Sequence, residues 1–193
     1  MRLRLPAACL AMGMTLAPAG AQAQPPSQAG VVFEGLARIG VASHAVRFRF
    51  SCTSNNGPNV TGVLAVALEI PRHDQTRPVF PFDRFEGPDG IASPLTHLRA
   101  SGVRHKANAL FAASGSRQGG GTFVLEVAAA RRDSRAVARL AAVLTPLMEG
   151  PGQFLWRQGD GKPGGTFIDA NLELVQAKAD RLKAALDPCL SRP

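Results

Sequence analysis

Asp83, Glu86 and Asp89 stand three positions apart within Phe80-Pro81-Phe82-Asp83-Arg84-Phe85-Glu86-Gly87-Pro88-Asp89-Gly90. Paired carboxylates can cleave a glycan, one donating a proton while the other activates water. Asp83 and Glu86 are thus the candidate pair of a cell-envelope hydrolase. Arg84 lies among them, and a solvated or salt-bridged loop accounts for the same composition.

The segment also reads as a contact surface. Pro71, Pro78, Pro81, Pro88 and Pro94 make 71–94 unsuited to a helix or a central strand. Residues 78–90 combine that rigidity with apolar and charged groups. Phe80, Phe82, Asp83, Arg84, Phe85 and Glu86 are therefore the candidate binding residues. The competing structural expectation is that the three phenylalanines plug the edge of a sheet.

Other chemistries find little support. Neither Gly-x-Ser-x-Gly nor Ser-x-x-Lys occurs after the leader, and Ser114 and Ser116 lie in a glycine-rich stretch where serine is an ordinary turn residue. His44, His73, His97 and His105 show no spacing that would pair two imidazoles on one element, so no metal is expected. Gly119-Gly120-Gly121 lacks the following Lys-Ser/Thr of a phosphate cradle, and no cofactor is expected. Asp160-Gly161 and Asp89-Gly90 are turn dipeptides without the ligand series of a calcium loop.

The cysteines carry a different chemistry. Arg2 and Arg4, the apolar run Leu5–Leu16 and the small residues Ala19-Gly20-Ala21-Gln22-Ala23 form the three parts of a secretory signal, with cleavage expected after Ala23. Cys9 lies inside that signal. It precedes most of the apolar run, which is the wrong side for a lipidated cysteine. Cys52 and Cys189 remain, and in an exported protein they read as one disulfide. The expected location is periplasmic or secreted, with no transmembrane segment after the signal because no later run approaches the roughly 20 apolar residues needed.

Residues 24–193 number 170, enough for one domain with a sizeable core. Removing residues 1–23 takes two arginines and no acid, so the formal charge falls from +8 to +6. Arginine far outnumbers lysine beside abundant Ala and Gly, which suggests a GC-rich bacterial genome. The excess charge suits solubility or an anionic wall component. Nucleic acid is not an expected partner, since no basic patch is interleaved with aromatics.

The elements that must position these groups follow from periodicity. Residues 24–30 read as a disordered leader and 31–42 as one or two strands. In Ala45–Cys52, Val46, Phe48, Phe50 and Cys52 alternate with Arg47, Arg49 and Ser51, so a half-buried strand points Cys52 inward. The turn-rich 54–59 and the apolar Val60–Ile70 complete a hairpin; turn chemistry also explains Asn59 in Asn59-Val60-Thr61. Residues 95–104 fit a short helix or an edge segment. Strands are expected over 108–113 and 122–130, with a glycine-rich turn at 115–121. A helix follows from Asp133 to near Met148, stopped by Pro146 and Gly150-Pro151-Gly152. Strands at 153–157 and 166–168 then precede a last helix capped by Asp169. Its stripe, Leu172, Val175, Ala179, Leu182 and Leu186, continues into Cys189.

Phe50-Ser51-Cys52 and the terminal Leu182–Cys189 together resemble the arrangement in small periplasmic families, the type VI secretion-associated accessory group and the invasion-associated locus B proteins. The resemblance covers those two segments alone and implies no activity. The fold expected is α+β: a mainly antiparallel sheet, sandwich-like or half-barrel, with two packed helices, the last linked by disulfide to an early strand. Residues 31–193 form the single domain. The function expected is non-catalytic binding or accessory work on a periplasmic or envelope protein, or an anionic wall component, through 78–90.

Overall fold

The structure, a computed structural model, describes residues 28–53, 62–87 and 94–190. The expected export signal, residues 24–27 of the expected leader, the expected turn at 54–59 and residues 88–90 lie outside the described residues. Nine strands form one antiparallel sheet: β1 (Gln28–Ile39), β2 (Ala42–Thr53), β3 (Val63–Ile70), β4 (Thr96–Ser101), β5 (Lys106–Phe111), β6 (Ser114–Gln118), β7 (Thr122–Ala130), β8 (Gly152–Gly159) and β9 (Phe167–Leu174). Their order across the sheet is β5-β4-β8-β9-β1-β2-β3-β7-β6. Helices α1 (Ser134–Met148) and α2 (Gln176–Leu190) complete the fold.

The sheet curls into a half-barrel around its helices. β2 and β8 are separated by β9 and β1, yet the Phe48 and Phe50 rings lie 5.7 and 5.5 Å from that of Phe154, both edge-on. Only an inward curve brings strands that far apart in order into contact. The inner face buries Phe48, Phe50, Phe154 and Trp156 against Leu140, Leu144, Leu182 and Leu186 of the helices. Burying such side chains is the main source of stability here, at about 1.5–3 kcal/mol for each large one.

Alternation produces this division of faces. Along β2, Val46, Phe48, Phe50 and Cys52 are buried, while Arg47, Arg49 and Ser51 stay partly exposed. Asp133 caps α1, its side chain accepting the Ala136 N–H at 2.9 Å. The helix runs through Pro146 for two further residues, so Pro146 does not stop it. The expected bond is present: Cys52 and Cys189 form a disulfide that links β2 to the end of α2.

Four sequence expectations change. β1 starts at Gln28, inside the expected leader, because β2 supplies a ladder out to Thr53. Residues 96–101 are a strand, hydrogen-bonded to β5 and β8. Ser114–Gln118 is also a strand, since β7 pairs with it despite its lack of apolar residues. Asp169 does not cap the last helix. β9 continues to Leu174, with Ile168, Ala170, Leu172 and Leu174 all facing the core, and α2 begins only at Gln176.

Candidate functional site

The segment after β3 contributes its aromatic rings to the core. Phe80, Phe82 and Phe85 are 0, 0 and 2% exposed. Phe80 packs on both Phe82 and Phe85, at centroid distances of 5.0 and 5.6 Å, and Phe82 meets Phe123 of β7 at 4.9 Å. His73 closes the same cluster. Its ring meets Phe82 and Phe123, and its Nδ1 lies 2.8 Å from the Gly121 carbonyl oxygen. The three phenylalanines proposed as contact residues are thus a core plug beneath β6 and β7, unavailable to a partner. Only the charged members of the set face outward.

Those charged groups are already satisfied. Arg77 and Arg117 both pair with Asp83, and Arg117 also holds Glu86. The hydrogen bond from Arg77, with the charges of Arg77 and Arg117, keeps the Asp83 carboxyl below the usual carboxylate range against an opposing desolvation. A general acid must hold its proton near the working pH, which this environment works against. Arg84 turns away from both acids and donates to the main-chain carbonyl of Asp160 at 2.6 Å. Chemically, the cluster is an ion-pair network that seals the plug from above.

The outer face of the sheet offers different geometry. Because paired residues in neighbouring strands share a face, the register sets Leu110, His97, Arg157, Asp169 and Arg38 in one row across β5-β4-β8-β9-β1. The next row holds Asn108, Arg99, Leu155, Asn171 and Leu36. No protein-family model, curated protein or solved structure matches the chain. Its function has to be read from this arrangement.

Three shallow hollows follow β4 on that outer face. One of about 250 Å³ lies among Arg99, Ser101, Lys106 and Leu155. A second, of about 190 Å³, has His97, Arg99, Leu155 and Arg157 on its walls. The third, of about 480 Å³, reaches from His97 and Arg157 to Leu110, Phe167 and Lys162. Successive hollows share wall residues, so they lie in line along the strand as a trough partitioned by the side chains of Arg99, Leu155, His97 and Arg157. Two of its apolar members are exposed, Leu110 at 49% and Phe167 at 40%. The Arg157 guanidinium lies 4.1 Å over the Phe167 ring, a cation–π contact that holds both side chains at the rim.

Sequence reasoning missed this site because β4 and β8 lie far apart in the chain and only their register joins them. A signal existed at the outward positions of β8, where Leu155 and Arg157 flank the sole tryptophan. No group of three or more His, Cys, Asp or Glu among the described residues is arranged to hold a metal ion. No helix among them is long and apolar enough to cross a membrane.

Proposed function

We propose that this protein is a non-catalytic binding or accessory protein of an extracytoplasmic compartment, and that it contacts a protein partner through the outer sheet face along β4. The observation that carries this reading is the trough itself, where exposed Leu110 and Phe167 adjoin Arg99 and Arg157. Large apolar side chains beside arginine are what protein contact surfaces concentrate. The Cys52–Cys189 bond suits an oxidising compartment, as does the export signal read in residues 1–23.

The contact surface differs from the one expected at 78–90, because burial of Phe80, Phe82 and Phe85 removes its apolar anchors. A rigid sheet face is also the better platform, since its side chains are held by the ladder. Site-specific photo-crosslinking in the producing cell tests the proposal. A crosslinker at Leu110 or Phe167 should trap one discrete partner, whereas one at Glu86 should not. Crosslinks from Glu86 alone, or from none of these positions, would contradict it.

A further inference from the structure

We infer that the trough along β4 receives an extended, acidic peptide segment of the partner, with apolar side chains on the same face as its carboxylates. This rests on the reading of the outer sheet face as the contact surface. Length points to such a segment first. The trough runs from Ser101 to Pro94 beside β4. At about 3.3 Å per residue that is on the order of 25 Å, room for roughly seven extended residues.

Charge supplies the second argument. Arg99 and Lys106 make no ion pair among the described residues, although both line the trough. Its two acids are occupied. Asp169 lies 3.4 Å from Arg157 and 3.9 Å from Arg38. The Asp160 carboxylate accepts the main-chain N–H groups of Lys162 and Thr166, both at 2.9 Å. An incoming carboxylate therefore meets uncommitted donors and no uncommitted acid. Complementary charge of this kind fixes register and speeds encounter.

Spacing is the third. His97 and Arg99 are two residues apart on one strand, which repeats the interval between same-face side chains of an extended peptide. Acids two residues apart on one face of such a peptide would match this period, and apolar groups further along that same face would meet Leu155, Leu110 or Phe167. A polyphosphate or sulfated glycan has nothing to place on those apolar side chains. A membrane would require cations spread over a broad surface, not in a file along one strand.

The test uses the oxidised protein without its export signal and a fluorescein-labelled Glu-Leu heptapeptide, Glu-Ser-Glu-Ser-Leu-Ser-Leu, whose acids and leucines share one face when extended, read by anisotropy. Saturable binding is expected, weakened about tenfold or more by Arg99→Glu and separately by Lys106→Glu. Both positions are exposed, and tryptophan emission checks that each variant is folded. A Lys-Leu heptapeptide should not bind. Absence of Glu-Leu binding, indifference to both substitutions, or equal binding to polyphosphate or phosphatidylglycerol vesicles would overturn the inference. Should the Leu110 crosslink persist while the peptide fails, the acidic-peptide class is wrong and the contact surface stands. Failure of both removes the surface as well.

Discussion

Arg84 reaches across 76 positions of sequence to donate to the carbonyl oxygen of Asp160 at 2.6 Å, which ties the phenylalanine plug to the turn between β8 and β9. The turn is shaped to accept it. Gly161 has φ of +75°, and a Cβ there would sit 2.9 Å from the guanidinium carbon of Arg84. Gly161→Ala should therefore lower stability by about 1–2 kcal/mol through a strained backbone and a displaced Arg84. Urea unfolding checks this. An unchanged midpoint would mean that the turn relaxes at no cost.

The plug should behave as core. Phe82→Ala removes a ring packed on Phe80, Phe123 and His73 and should cost about 3–5 kcal/mol. Trp156, the sole tryptophan and fully buried, gives the readout through the red shift of its emission on unfolding. A surface role for Phe82 would instead leave the midpoint in place and abolish partner capture.

The disulfide closes a loop with a sequence separation of 137. On the chain-entropy account it stabilises the fold by about 4–5 kcal/mol relative to the open chain. Cys52→Ser with Cys189→Ser should lower the urea midpoint accordingly, and hydrogen exchange should speed up first at the end of α2. In the wild-type chain freed of residues 1–23, alkylation without reductant should modify no thiol. A reactive thiol would refute the pairing.

Acid should weaken the fold in a defined window. The Asp160 carboxyl is held below its ordinary value, chiefly by the Lys162 N–H and further by the Thr166 N–H and nearby cations, against the desolvation that opposes them. Asp83 is lowered as well, led by its hydrogen bond from Arg77. A carboxyl whose folded pKa lies below its unfolded one contributes its full share above about pH 4, and that share is lost as pH falls through the folded value. The urea midpoint should thus be flat near neutrality and decline below about pH 4. Asp160→Asn should start lower and decline less steeply. A variant that declines as steeply as wild type would show that Asp160 contributes nothing to this limb.

Parts of this architecture were legible in the sequence for a physical reason. β2 faces a core on one side and solvent on the other, so its alternation is complete and Cys52 could be oriented from it. Ala179, Leu182, Leu186 and Cys189 are buried at helical spacing, which oriented the second cysteine. The start of α2 was misread because Leu172 and Val175 also fit that spacing. In the structure Leu172 faces inward from a strand, and Val175 is exposed. β4 was ambiguous because a polar residue occupies one of its core positions. Thr96 is fully buried and donates to Gln158 Oε1 at 2.6 Å, which hides the apolar period. The candidate site was illegible for a further reason. It depends on which strands are neighbours, and β4 pairs with β8 across an intervening stretch that contains α1.

Chemical-shift perturbation on the uniformly 15N-labelled, oxidised protein, titrated with the Glu-Leu heptapeptide, tests the contact surface most directly. Shifts should concentrate at the amides of His97, Arg99, Leu110, Leu155 and Arg157, and fade as salt is raised because charge steers the contact. Shifts centred on Asp83, Arg84 and Glu86, or spread evenly over the molecule, would contradict the account.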